Sequence, residues 1–595
     1  MSRSHRSLII FLLAAIIACS AIVIYLPTLK SGFIWDDVQL LINPLKIGES
    51  PYFFFFSGKI YYRPFLHLSM ALDYSLWHLN PFGYHATNIF LHAVNSLLVF
   101  LICFHLMKDR KMMRDTIEIF RLERTVFFSF LAAMFFALHP IHTESVAWIS
   151  GRTDVLATLF FLLAFLSFLI YAREDTTAGL VLSCTFFLSS LFAKENAVAF
   201  IGVVFVYGIM TRMSKKKLIF SFLSLSFVLG LYFFLRGWDG GVRDIVAPAA
   251  PKDSFFVTGI SLENFLKVLV NGTGYYFEKL ILPFNLNLLP QIPDNSLYLV
   301  IVLLAFIIGI ILYFTGHTVK AFLITWVIIT LLPSLSILYS QMAAPIGERY
   351  LYLPSVGFSI FLAAVLVKIK GKKLAVLTVL IILAAYSIST SERLKVWKDE
   401  VTLWEDTARK NANSDPNAVT AHLNYGASLA RIGEFGKAKE MLIIALNQKK
   451  ISFQQVASIL NLLGMIEIND KNYKKAEEYL TDSIKADPKN AETFNNLGFL
   501  YSILMDEPGI GKRQKNELLE RALKNFHRAL SLSKNFLQAK YNLGICYLRK
   551  GDLNNAERYL NAVIESDPQG DYARKAATFL VVIELSKRND VKDSL

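Results

Sequence analysis

An all-α chain is predicted, with a polytopic helical membrane domain followed by an α-solenoid, and three observations predict it. Of the 595 residues, 54% are hydrophobic and only 18% charged, with 48 Phe, far from the balance of a soluble domain. Polarity is unevenly placed: residues 1–390 are built of long apolar runs, whereas 391–595 are rich in Lys, Glu, Asn and Asp. The polar part is also self-similar at a fixed period, as stacked helical units are. The expected division is therefore a membrane domain over 1–390 and a repeat domain over 391–595.

Apolar segments of roughly spanning length run at 8–27, 86–107, 123–139, 155–172, 178–193, 196–212, 218–235, 297–316, 320–340, 350–368 and 373–390, about eleven in all. The first follows MSRSHR and lacks a small-residue cleavage site, so it reads as an uncleaved signal anchor. Basic clusters at MSRSHR, 108–124, 212–217 and 368–373 assign those loops to the cytoplasm. The loops carrying FIWDD, HPIHTE, 236–296 and GERY then share the opposite face. Parity holds only if the amphipathic stretch 263–284, with Glu278 and Lys279, does not cross. An odd number of spans places the repeats outside as well. Because the basic residues sit in short loops between spans, the net charge of +14 is read as topological, and no nucleic-acid partner is expected; membrane lipids are. Cys19, Cys103, Cys184 and Cys546 have no CxxC or zinc spacing, which predicts neither disulfides nor a structural metal.

In the polar part, LNYG, NLLG, NNLG and YNLG end at Gly426, Gly464, Gly498 and Gly544. Ala438, Ala476 and Ala556 follow twelve residues after three of these, and a twelve-residue insertion near DEPGIGKRQKNE brings Ala522 into the same place in the third unit. Pro488 and Pro568 fall 24 residues after a repeat Gly, where they end a helix. Small residues at these positions let paired helices approach closely, so the pattern reads as four tetratricopeptide repeats that grip a protein partner. The segment 401–416 reads as the second helix of a partial leading repeat.

Charged residues at membrane depth or at span ends are expensive, about 3 kcal/mol each, so clusters of them need a reason. Four clusters face the outer side: Trp35, Asp36 and Asp37 with Asn43; YYRP, residues 61–64, with the stretch behind it; HPIHTESVAWISGRTD, which supplies Glu144, Arg152 and Asp154; and GERYLYLPS, which supplies Glu348, Arg349 and Tyr350. An acid pair beside an aromatic residue can take a proton from an acceptor hydroxyl or hold a divalent cation. Arg63 and Arg349 offer forked positive charge to a phosphate leaving group. Together these parts describe transfer of a sugar from a lipid phosphate in the bilayer. The plainer readings are that Asp36 and Asp37 cap a helix, that His139 and His142 bond backbone rather than zinc, and that Glu144 pairs with Arg152. Lys194 and Glu195 in FAKEN end a span on the outer side, against the charge trend.

FIWDD, YYRPF, NPFGYHATNIFLH, HPIHTESVAWISGRTDVLATLFFL, FAKEN and ERYLYLPSVGF, in this order and followed by the repeats, resemble the transmembrane and tetratricopeptide repeat containing O-mannosyltransferases and their prokaryotic relatives. The resemblance runs along nearly the whole chain. It implies a membrane domain of the GT-C glycosyltransferase type, a polyprenyl phosphate-linked mannose donor, and Ser or Thr of an extracytoplasmic protein as acceptor. It places the catalytic acid in the first outer loop, on Asp36 or Asp37, with Arg63, Glu144, Arg152 and Arg349 around the donor phosphate and sugar. A divalent metal is admitted but not required. The single glycosylation sequon, Asn271 to Thr273, fits a prokaryotic inner membrane with the repeats on the extracytoplasmic side. Two other readings remain open: a non-catalytic scaffold gripping a partner through Asn461, Asn495 or Asn542, and a transferase acting on a glycolipid.

Overall fold

A computed structural model describes residues 3–37, 62–108, 122–237, 262–290, 295–335, 346–411, 416–568 and 570–593. Asn43, Tyr61 and most of the basic loop 108–124 lie outside the described residues. Every regular element among the described residues is helical. The chain divides into two units, Met1–Lys410 and Asn411–Leu595. That division falls twenty residues beyond the change in composition at 390, because residues 391–410 pack onto the first unit.

The first unit holds α1 (Arg3–Tyr25), α2 (Pro64–Trp77), α3 (Pro81–Lys108), α4 (Leu122–Leu138), α5 (Thr143–Ala147), α6 (Arg152–Glu174), α7 (Thr177–Ala193), α8 (Ala199–Met210), α9 (Lys215–Gly237), α10 (Leu262–Ile281), α11 (Ser296–Phe314), α12 (Thr318–Leu335), α13 (Pro354–Leu366), α14 (Lys372–Val396) and α15 (Glu400–Lys410). Each of the eleven apolar segments falls on a helix. Seven of those helices are long and apolar enough to cross a bilayer, and eight if the bent pair α4–α5 counts as one span. Three others, α7, α8 and α13, are apolar but shorter. The 48° bend between α4 and α5 has a local cause. Pro140 has no N–H to continue the helix, and the His139 ring accepts from the Ile141 N–H at 3.3 Å to cap the new turn. The amphipathic α10 is not among the helices long and apolar enough to cross, and its second half is buried: Tyr276 and Leu280 pack with Tyr298, Leu331 and Leu351. Large apolar side chains of α11, such as Leu303, Phe306 and Ile310, are about half exposed, which suits a helix whose solvent is lipid. Within this unit α3 packs against α1, α4 and α6.

The second unit holds α16 (Pro416–Arg431), α17 (Phe435–Leu446), α18 (Phe453–Asn469), α19 (Tyr473–Ala486), α20 (Ala491–Leu504), α21 (Lys512–Leu532), α22 (Leu537–Lys550), α23 (Leu553–Ser566) and α24 (Asp571–Asp593). Successive helices pair as antiparallel hairpins. A Cβ at Gly426, Gly464 or Gly544 would lie 2.7 Å from Leu442, Leu480 or Leu560, each four residues after the repeat Ala. At Gly498 the same neighbour is Phe526, four after Ala522, so the third unit keeps register and the insertion is absorbed mainly by a 21-residue α21 where α19 and α23 have 14. Gly544→Val therefore forces the α22–α23 crossing apart, and a loss of about 1–3 kcal/mol is expected. Denaturant unfolding of the full chain in detergent, followed by proteolytic release of the repeat unit, measures it; an unchanged midpoint contradicts the packing.

Candidate catalytic site in the first outer loop

Past α1 the chain makes a 3-10 turn, Leu26–Lys30, and then an irregular stretch that brings Trp35 to a left-handed φ of 53°. That turn separates the two acids. Asp37 is buried, and its carboxylate accepts from the Ser150 N–H at 2.8 Å, the Ser150 hydroxyl at 2.5 Å and the Ile34 N–H at 3.0 Å. Burial raises its pKa to about 7 against those three donors. Asp36 is only partly buried and has no ion pair or hydrogen bond within the described residues. Burial raises it too, and the charge of Arg349 opposes the rise. Asp37 thus fastens the loop, and Asp36 is the acid whose carboxylate has no hydrogen bond among the described residues.

The aromatic partner predicted beside the acids is present, within a larger group. Trp35 stacks on Trp148 at 4.9 Å and meets Trp404 edge-on at 5.9 Å, and Trp148 stacks on Trp397. Trp404 and Trp397 come from α15 and the end of α14, so the helix expected to open the repeats is built into the first unit. It holds the acid loop twice more, through the Trp35 N–H on Glu400 at 3.3 Å and the Gly32 N–H on the Lys398 carbonyl at 3.3 Å. It also holds the GERY loop: Arg393 bonds Asp406 at 2.8 Å and lies 3.6 Å from Glu348.

Arg349 lies beside this group, its guanidinium 5.7 Å from the Trp148 ring and 4.9 Å from Tyr350. Its partner is Glu144, which accepts from the Arg349 N–H at 3.0 Å and pairs with the guanidinium. The HPIHTE segment reaches this position because α6 starts hard against α5. A Cβ at Gly151 would stand 2.7 Å from the Glu144 carbonyl, an approach only glycine permits.

The remaining predicted residues are placed differently. Arg152 is fully buried and pairs not with Glu144 but with Asp73 at 2.6 Å, while donating to Asn88 at 2.6 Å, the Ser69 hydroxyl at 2.9 Å and the Tyr84 carbonyl at 2.8 Å. Its donors are spent inside the protein, knitting α6 to α2 and α3. Arg63 makes a two-pronged bond to Glu195 at 2.7 and 3.1 Å, near the surface. His139 bonds the Leu280 carbonyl and His142 the Ser355 hydroxyl. Among the described residues no three His, Cys, Asp or Glu side chains converge to hold a metal ion. Asp36, Asp37, Glu144 and Arg349 are therefore brought into one neighbourhood, whereas Arg152 is assigned elsewhere. Sequence reasoning missed Asp73 as the partner of Arg152 and α15 as a wall of the site. A Trp at 397 and another at 404 in a polar segment were the signal for the second.

In the repeats, Asn496 donates to Asn461 at 2.9 Å and Asn542 to Asn495 at 3.0 Å. Asn461 and Asn495 are buried. These amides link the first helices of successive repeats.

Residues 457–490 and 515–578 match the tetratricopeptide repeat family. Among curated proteins, protein O-mannosyl-transferase TMTC3 of Homo sapiens is 22% identical over an alignment covering 96% of this chain and 69% of its own length. Protein O-mannosyl-transferase TMTC1 of Homo sapiens is 25% identical, covering 76% of this chain and 56% of its own. Protein O-mannosyl-transferase TMTC4 of Homo sapiens is 27% identical, covering 70% and 64%. The chain is similar to these protein O-mannosyl-transferases along most of its length, at 22–27% identity. It spans about 56–69% of the length of these relatives.

Proposed function

We propose that this chain is a membrane glycosyltransferase of the GT-C type that moves a hexose, mannose by family, from a polyprenyl phosphate carrier to Ser or Thr hydroxyls of proteins outside the cytoplasm. The names of the relatives support the reaction class. Asp36 is the observation that carries the reading: a carboxylate without a hydrogen bond among the described residues, under the influence of Arg349, next to an acid that is fully engaged. Asp36 takes the proton of the acceptor hydroxyl as its oxygen attacks the anomeric carbon from the face opposite the leaving group, which inverts the configuration. The bond from that carbon to the phosphate oxygen breaks, and the carrier phosphate leaves with the electron pair. Arg349, oriented by Glu144, supplies the positive charge that the departing phosphate needs. The acid loop opens on the extracytoplasmic face of a prokaryotic plasma membrane, with the repeats on the same side to hold the acceptor protein.

Comparison of intact masses of extracytoplasmic proteins from cells with and without the gene tests the reading. Hexose-sized losses are expected on some of them, and identical masses throughout overturn it. The pH profile gives a second test. A base must be ionised, so kcat/KM rises with pH through the pKa of Asp36, which burial raises from its ordinary value. Arg349 holds that pKa down, so Arg349→Gln is expected to move the rising limb to higher pH while lowering the plateau. A limb that stays in place separates Asp36 from the proton transfer.

A further inference from the structure

GERY places a second charged side chain next to Arg349, and the reaction above does not use it. Glu348 is 1% exposed, and neither of its carboxylate oxygens has a hydrogen-bond donor among the described residues. The cation set opposite it is Arg393 near the end of α14, 3.6 Å away and so beyond a hydrogen bond. Arg393 spends Nη1 on Asp406 at 2.8 Å, while its Nε and Nη2 have no acceptor among the described residues. Asp406 is also met by Arg409 at 2.9 Å and Lys410 at 2.6 Å. One acid thus has three cations, and the other, close to the same guanidinium, has none bonded to it.

A buried carboxylate without hydrogen bonds is costly to charge and takes up a proton more readily. Burial, the largest influence, raises the pKa of Glu348; Arg393 lowers it, Glu144 on α5 raises it, and the Asn287 N–H and Lys410 lower it. Tyr275 on α10 also faces the carboxylate. The ends of α12 and α13 that pack on this loop carry no titratable side chain, and the His139 and His142 rings bond the Leu280 carbonyl and the Ser355 hydroxyl. The two protonation states pull the loop differently. Neutral, Glu348 stays apart from Arg393 and Arg349 keeps its place on Glu144. Charged, it closes on the free Nη2 of Arg393, a movement of about an ångström or less, and it repels the carboxylate that orients Arg349. Residue 349 follows 348 directly, so the guanidinium shifts as well, and an ångström of misplacement can cost about a hundredfold in rate. We propose that Glu348 is a positioning residue for Arg349: as a neutral acid it leaves Arg349 aimed at the departing phosphate, and as a carboxylate it draws the GERY loop onto Arg393 and slows transfer. This rests on the function proposed above.

Sugar transfer by the full chain in nanodiscs, followed across pH beside thermal scans, tests it. Asp36 is only partly buried, so its rising limb comes first, and on the alkaline side of it wild-type transfer is expected to fall about tenfold or more as Glu348 ionises. Glu348→Gln, which keeps the neutral shape, is expected to match the wild type on the acid side and to lack the fall. The folded chain holds this proton more tightly than the unfolded chain, so stability drops as pH rises from the unfolded pKa to the folded one. The midpoint of Glu348→Gln should therefore draw ahead of the wild-type midpoint with rising pH. Arg393→Gln leaves Asp406 with Arg409 and Lys410 but removes a cation that lowers the pKa of Glu348, so it should carry the fall to higher pH and keeps the test open if Glu348→Gln folds poorly. An alkaline limb unchanged in both variants, or a midpoint difference that does not vary with pH, overturns the positioning role and leaves the transferase standing. Absence of transfer by the wild type at every pH overturns the transferase and the role together.

Discussion

Asp36→Asn is expected to lower sugar transfer about a thousandfold, within the range that removal of a general base produces. The change is nearly isosteric, and Asp36 has no hydrogen bond among the described residues to lose, so membrane insertion and the thermal midpoint should hold. Asp37→Asn is expected to do the reverse. The Ser150 N–H and hydroxyl and the Ile34 N–H all donate to that carboxylate, and an amide cannot accept from all three. A donor left unsatisfied in a buried place costs about 1–3 kcal/mol, so this variant should melt earlier, with whatever transfer it loses following the loop it loosens. Transfer assays on membranes with a hexosylated carrier and a Ser/Thr peptide, run beside thermal scans, separate the two. Near-normal transfer by Asp36→Asn would remove the base, and an exchange of the two phenotypes would reverse the roles of the acids.

Arg152→Leu is expected to destabilise the membrane unit by about 4 kcal/mol, because it strands Asp73 as an unpaired charge in a buried place and leaves Asn88 and the Tyr84 carbonyl without their donor. The double variant Arg152→Leu, Asp73→Leu should recover much of that loss, since the uncompensated charge is gone. Thermal unfolding in detergent reads both. If Arg152→Leu instead keeps its midpoint while donor binding weakens, Arg152 belongs to the donor and not to the scaffold.

The helices and the register of the repeats were legible because each rests on local rules. Apolar run length marks a helix whatever it packs against, and the small residues at Gly464 and Ala476 mark a crossing whose partner lies on the adjacent helix. Pairing between distant segments was not legible. Glu144 and Arg152 are eight residues apart and of opposite charge, yet Glu144 finds Arg349 and Arg152 finds Asp73, because the fold decides which ends of which helices converge. The two acids of FIWDD could not be told apart either. What separates them is the turn at Trp35, whose positive φ puts one side chain under Ser150 and turns its neighbour away from those donors. Span number lies between these cases: composition locates apolar segments, but three of the helices they form are short for a bilayer, so counting segments is not counting crossings.

The seam at Lys410 decides where this polypeptide can be cut. A soluble fragment starting at Asn411 leaves the membrane half whole. Starting at residue 391, where composition changes, carries off Arg393, Trp397, Glu400, Trp404 and Asp406, strips the support from beneath Trp35, takes the cation away from Glu348, and gives a fragment with a sticky apolar end beside a membrane half whose acid loop has nothing to lean on.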